Sequence, residues 1–188
     1  MPDLMVDLIT SLDGYAAADG WPGLWGVDCP EYLAWLDEAP QKRGRILMGA
    51  TTYRLMSSFA ESGEEDVDQL TATPKLVFSS TLAEPLAWPN TVLVPGDPVA
   101  VVRELKATGG EPLRTLGSLR LCRALLRAGL VDVFRIGIFP FITGATGQER
   151  VYDDYPDLAL DLITSRTFDG RIQMLEYAPT MLDRPPTG

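Results

Sequence analysis

The chain has 188 residues, 46% of them hydrophobic and 22% charged, with a net charge of −10 and no histidine. That size and balance fit one globular domain with a substantial core, and the negative charge disfavours nucleic acid or an anionic membrane as partner. Without histidine there is no Ser-His-Asp or Cys-His hydrolase and no HExxH zinc enzyme, so any proton transfer falls to carboxylates, tyrosine, lysine or water.

The first residues, "MPDLMVDLITSLDG", carry acids and no basic stretch, unlike a secretory leader. They predict a β-strand broken at Asp13-Gly14, with Asp13 a turn former beside the strand end. A loop rich in Gly and Trp follows at 18–27. In "DCPEYLAWLDEA" Pro30 suits the first helical position, and Leu33 and Leu36 mark an apolar stripe. A strand at 45–49 runs into Gly49 and a helix at 51–58, with Thr51 or Thr52 as its cap. "ESGEEDVD" (61–68) reads as an acidic surface loop.

Short buried strands are expected at 75–80 and 91–94. "GDPVAVVRELKATGG" has Asp97 as N-cap, Pro98 at the first helical position and Gly109 as the stop. A strand then leads to Gly117, with Ser118 as the cap of a helix ending near Gly129. "VFRIGIFP" is a strand, and the glycine loop "TGATGQ" (143–148) follows it. "ALDLITSRTF" and "RIQMLEYA" flank Asp169-Gly170, a two-residue hairpin signal. "DRPPTG" is a frayed tail after a single domain spanning 1–180. Strands alternating with helices predict a mixed, mostly parallel central sheet flanked by helices, closed by a C-terminal antiparallel hairpin.

Ligands in open α/β sheets bind beyond the carboxyl ends of strands. Three such ends carry small or hydroxyl residues: Gly49-Ala50-Thr51-Thr52, Ser79-Ser80-Thr81 and Gly117-Ser118-Leu119-Arg120. Two of them open helices, whose free amides favour a phosphate-rich ligand. None matches GxGxxG or the P-loop. Trp21 and Trp25, on the glycine-rich loop, are placed to cover a flat heterocyclic substrate, whereas Trp35 reads as core. Cys29 and Cys122 have no metal-type spacing and read as packing residues in a reducing, cytoplasmic setting. No metal site is expected.

The segments "SLDGYAA" (11–17), "RILMGATTY" (45–53), "KLVFSSTL" (75–82), "TLGSLRLCRALLRAGLVD" (115–132) and "FPFITGATG" (139–147) together resemble the dihydrofolate-reductase-like superfamily. Within it, the resemblance is to the reductase domain of riboflavin biosynthesis, over residues 3–178. It implies an NADPH site. Gly49, Ala50, Thr51 and Thr52 would meet the cofactor phosphates, Ser79, Ser80 and Thr81 the adenosine phosphate, and Gly117, Ser118, Leu119 and Arg120 the pyrophosphate. Ile9, Thr10 and Ala16 would border the nicotinamide. Hydride transfer to a small pyrimidine-like, pterin-like or otherwise unsaturated substrate follows from the same resemblance, as does a homodimer. Two departures stand out. Ala50 replaces the basic residue usual after the glycine, and Tyr32 takes the place of the acid that folate reductases carry on the first helix. A proton would then come from water, Tyr32, Glu31 or Asp13. A nucleotide- or heterocycle-binding protein on the same fold, without catalysis, is the alternative.

Overall fold

The computed structural model describes residues 3–21, 27–38, 44–62 and 68–184. Ten strands and five helices follow in the order β1 (Leu4–Ser11), β2 (Tyr15–Ala18), α1 (Pro30–Leu36), β3 (Arg45–Gly49), α2 (Ala50–Ser62), α3 (Asp68–Ala72), β4 (Lys75–Phe78) and β5 (Thr91–Val94). Then come α4 (Pro98–Thr108), β6 (Leu113–Thr115), α5 (Leu119–Arg127), β7 (Val133–Phe139), β8 (Gly147–Arg150), β9 (Leu158–Phe168) and β10 (Ile172–Met181). Eight strands form one sheet in the order β5-β4-β3-β6-β1-β7-β10-β9, and β2 pairs with β8 in a separate ribbon. The sheet is parallel from β5 through β7, and β10 and β9 add antiparallel strands. This is the mixed α/β sheet with a terminal hairpin that the strand–helix alternation predicts.

Alternation along each strand divides the core between two faces. Leu4, Val6 and Leu8 of β1 and Leu47 of β3 pack with Val102 of α4 and with Leu121, Cys122, Leu125 and Leu126 of α5. That spacing is one face of a helical turn pattern, so α5 forms as an amphipathic crossover. On the opposite face, α1 packs Tyr32 and Trp35 against Ile9, Phe139, Phe168, Ile172 and Met174. Next to it, α2 packs Tyr53 and Met56 against Ile46, Met48 and Val77.

Helix α4 begins and ends where its signals put it. The Asp97 carboxylate accepts from the Val99 amide at 3.0 Å, Pro98 opens the helix, and Gly109 follows its last residue. Helix α1 differs in its buried stripe. Leu33 is 43% exposed, and the large aromatic faces of Tyr32 and Trp35 take the core instead. Aromatic rings bury more area per residue than leucine, so they win the sheet-facing side of a short helix. Helix α2 runs to Ser62, beyond the expected end. The acidic stretch is therefore split between the end of α2, the start of α3, and residues 63–67, which lie outside the described set. The terminal hairpin turns at Asp169 and Gly170, both with left-handed φ of 53° and 66°, and the Arg171 amide donates to the Phe168 carbonyl at 3.0 Å.

Candidate active site

The strand order sets the ends of β4, β3, β6, β1 and β7 side by side. It therefore gathers Ser79, Gly49, Gly117 and Ile9 along one edge of the sheet, although they are far apart in sequence. A single hydroxyl ties the middle of that edge together. Ser118 Oγ accepts from the Gly49 amide at 2.9 Å and donates to Thr52 Oγ1 at 2.8 Å. Ser118 sits at the N-cap position of α5, yet its side chain makes no capping bond to that helix. The sequence expectation that it caps α5 is corrected accordingly: its hydroxyl turns to β3 and α2, and it adopts a left-handed backbone with φ 63°. A non-glycine residue in that region is strained, and such strain gathers where backbone must be held for a purpose.

Gly117 beside it has φ 53°, and a Cβ there would meet Thr52 Oγ1 at 3.4 Å. The two helix starts, α2 at Ala50 and α5 at Leu119, are thus held together through the Ser118 and Thr52 side chains, with Gly117 leaving room for Thr52. Among the described residues no side chain caps α5, and no acid sits in the first turn of either helix. Arg120 and Thr51 are exposed there. Two unopposed helix N-termini with adjacent hydroxyls and a glycine turn fit the diphosphate of a dinucleotide. Ser79 closes a local turn at the end of β4, where its Oγ accepts from the Thr81 and Leu82 amides at 3.0 and 3.1 Å, and Ser80 and Thr81 stay exposed.

At the β1 end, Ile9 faces α1 and packs into its aromatic cluster. Thr10 is buried, its hydroxyl donating to the Ser11 and Tyr15 carbonyls at 3.1 and 3.2 Å, and Ala16 packs on the α5 face. Trp21 is half exposed and meets Phe141 edge-on at 5.3 Å, at the end of β7. Trp25 lies outside the described residues.

Each of the three residues expected to supply a proton has a structural partner. The Asp13 carboxylate accepts from Ser11 Oγ at 2.6 Å, the Gly144 amide at 2.9 Å and the Thr143 amide at 3.2 Å. These donors, led by the Ser11 hydroxyl, hold its pKa down to about 2. Asp13 thereby clamps the β1–β2 turn to the loop after β7. Glu31 Oε2 accepts from the Asp169 amide at 2.6 Å. Tyr32 stands among Trp35, Phe139 and Phe168, and burial pushes its phenol well above the usual tyrosine range. The "TGATGQ" loop also has a packing reason: a Cβ on Gly147 would strike the Tyr15 ring at 2.6 Å. Cys29 and Cys122 are both buried, and no metal-binding cluster occurs among the described residues.

One charged group escapes sequence reading. Asp7, Arg135 and Glu176 lie level on β1, β7 and β10, facing the α1 side of the sheet. Arg135 holds Glu176 Oε1 at 2.6 and 2.7 Å and stacks on Trp35 at 4.9 Å. Asp7 Oδ2 lies 3.5 Å from Arg135 and 3.9 Å from Arg114 of β6. The signal was present: a charged residue inside each of the apolar runs "LMVDLIT" and "VFRIGIF".

Residues 2–174 match the sequence profile of the RibD C-terminal domain family. The chain belongs to that family. The protein YyaP of Bacillus subtilis (strain 168) is 24% identical over 180 residues, 93% of each chain. Among solved structures, a riboflavin biosynthesis protein from Shewanella sp. PV-4 superposes with a TM-score of 0.72 at 24% identity, over 95% of this chain and 99% of that one. A pyrimidine reductase-like protein from Corynebacterium diphtheriae gives 0.67 at 17%, over 95% and 92%. A Thermotoga maritima diaminohydroxyphosphoribosylaminopyrimidine deaminase/5-amino-6-(5-phosphoribosylamino)uracil reductase gives 0.64 at 15%, and the match covers 95% of this chain but 57% of that longer one. These likenesses establish the riboflavin-type reductase fold. Among the described residues no helix is long and apolar enough to cross a membrane.

Proposed function

We propose that the protein is an NADPH-dependent reductase acting on a small, unsaturated heterocycle of pyrimidine or pterin type. The observation that carries this reading is the Ser118 hydroxyl joining Gly49 to Thr52, which sets the starts of α2 and α5 together as one anion-binding edge. The first-turn amides of both helices would hold the diphosphate, with Thr51 and Arg120 beside them. Ser80 and Thr81 would donate to the 2′-phosphate. Ile9, Thr10 and Ala16 would border the nicotinamide, and Trp21 would limit water on the substrate side.

Bound NADPH supplies the hydride, and the protein's contribution is to bind, orient and exclude water. Asp13, ionised and held by three donors, keeps the β1–β2 turn in place against the 143–144 loop. Tyr32 is too weak an acid at neutral pH to serve readily, so the proton reaches the substrate from water. The structural use of Asp13 and Glu31 also favours a second reading, a heterocycle-binding protein that does not turn over. The test is a fluorescence titration with NADPH and NADH, followed by cofactor oxidation against a panel of pyrimidines and pterins. Micromolar NADPH binding with turnover of one panel member is expected. Tight binding without turnover of any supports the second reading, and absence of cofactor binding removes the first. Dihydrofolate is expected to remain unreduced, because the first helix offers no carboxylic acid at the Tyr32 position.

A further inference from the structure

The two halves of the site differ in charge. Among the described residues, the segments 9–21, 27–32, 139–146 and 168–171 on the substrate side carry five acids and one base, Arg171. The Arg171 guanidinium donates to the Asp28 carbonyl. Helix α1 has no basic residue, and residues 22–26, "PGLWG", add no charge. Arg150 of β8, the next base along the ribbon, is paired with Asp153 at 3.3 Å. The cofactor side is the reverse, since the first turns of α2 and α5 hold no acid and α5 adds the exposed Arg120.

The substrate side is also apolar where it meets solvent. Leu12 follows β1 and is 66% exposed, Ile142 comes three residues after β7 and is 74% exposed, and Trp21 is 45% exposed. Phe141 brings them together. Its carbonyl accepts from the Leu12 amide at 2.8 Å, and its ring meets Trp21 edge-on at 5.3 Å. Phe141 packs on the same aromatic cluster as Ile9, so an apolar rim runs from the proposed nicotinamide position out to solvent. Exposed apolar side chains scattered singly are ordinary, whereas a group of them at a cleft marks a binding surface.

Resting on the reductase reading above, we propose that the substrate carries an uncharged, apolar substituent that lies on Leu12, Trp21 and Ile142, and that phosphorylated substrates are turned away. Such a substrate is unlike the phosphoribosylated one for which the Thermotoga maritima protein is named. Covering the rim removes apolar surface of both partners from water, which favours the substituent. A cleft lined by charge of one sign changes the local concentration of a charged ligand about tenfold or more, and here the sign opposes a phosphate. The same difference sorts the two ligands. The phosphates of NADPH suit only the half that holds the helix starts and Arg120.

The experiment uses four pterins that differ only at C6, where they carry a methyl, an n-butyl, a hydroxymethyl or a phosphorylated hydroxymethyl group. Binding to the whole chain is measured by calorimetry, with and without saturating NADP+. Butylpterin is expected to bind at least about tenfold more tightly than methylpterin, each methylene covered being worth about fourfold. The phosphorylated pterin is expected to bind at least about tenfold more weakly than hydroxymethylpterin. Leu12→Lys and Ile142→Lys alter exposed side chains, so circular dichroism should be unchanged and NADPH affinity should stay within about twofold. Each should shrink the butyl advantage and bring the phosphorylated pterin level with hydroxymethylpterin. Should one variant fail to fold, the other decides. A phosphorylated pterin that binds as well as hydroxymethylpterin, a butyl group that adds nothing, ratios that neither substitution moves, or NADPH binding with no pterin bound overturns the inference and leaves the reductase reading standing. The expected pterin ratios in a protein that does not bind NADPH keep the inference and remove the reductase reading.

Discussion

Glu31 and Asp169 cap each other across the molecule: the Asp169 carboxylate accepts from the Glu31 amide at 3.0 Å, and the Glu31 carboxylate accepts from the Asp169 amide at 2.6 Å. The second Asp169 oxygen also accepts from the Tyr32 amide at 3.2 Å. Helix α1 has no side-chain cap from Cys29, which occupies its N-cap position. The hairpin turn therefore does from a distance what a local Ser or Asp does elsewhere. Asp169→Ala should destabilise the protein by about 1–2 kcal/mol, the usual cost of losing a cap. Glu31→Gln should cost less, because an amide oxygen still accepts. Urea midpoints of both variants check the ordering.

Asp13 carries a pH prediction. Its folded pKa of about 2 lies below the ordinary carboxylate value of 3.8. Stability from its three donors is therefore present in full above about pH 4 and is lost as pH falls through the folded value. Asp13→Asn should flatten the loss of stability between about pH 4 and pH 2 relative to the parent chain. Thermal unfolding across that range is the measurement, and parallel acid profiles would remove the clamp from the account.

Ala50 begins α2 next to Gly49, and Gly49 pairs with Phe78 of β4, so an arginine at 50 would reach toward the 2′-phosphate proposed at Ser80 and Thr81. A charge-assisted hydrogen bond contributes about 1.5–3 kcal/mol, or roughly ten- to a hundredfold in affinity. Ala50→Arg should tighten NADPH by that order and leave NADH nearly unchanged. Titrating both cofactors against both proteins gives the ratio. An unchanged ratio would take the start of α2 away from the 2′-phosphate.

The sheet ends on β9, whose outer edge has no partner strand among the described residues. Leu160, Leu162 and Ile163 of β9 and Met181 of β10 are exposed. An apolar, unpaired edge of this length is a pairing surface unless something covers it. A second copy of the chain is the expected cover, giving a homodimer by light scattering at micromolar concentration. Leu162→Lys should shift that mass to the monomer without loss of circular dichroism.

Much of this molecule is legible in its sequence where the cause is local. Asp97, Pro98 and Gly109 bound α4 because each acts on backbone within one turn. Gly49, Ser79 and Gly117 mark strand ends because small and hydroxyl residues interrupt apolar runs. Ser118 is harder, since its hydroxyl serves Gly49, 69 residues away. The Asp169 cap spans 138 residues and leaves no local trace. The inward side of α1 follows the aromatic rings it meets on β7 and β9, which no reading of Leu33 and Leu36 alone could supply.

The place of β1 in the sheet has a consequence for how the protein is made. Strand β1 is central, it leaves the ribosome before both of its neighbours, and these begin only at Leu113 and Val133. At about 5–20 residues per second, the apolar run from Leu4 to Leu8 waits for several seconds before either partner exists. During that interval the half-made chain offers an unpaired hydrophobic strand to chaperones and to its neighbours on the same message. Chains halted before β7 should accumulate as aggregates, whereas chains that reach the end of β10 should not.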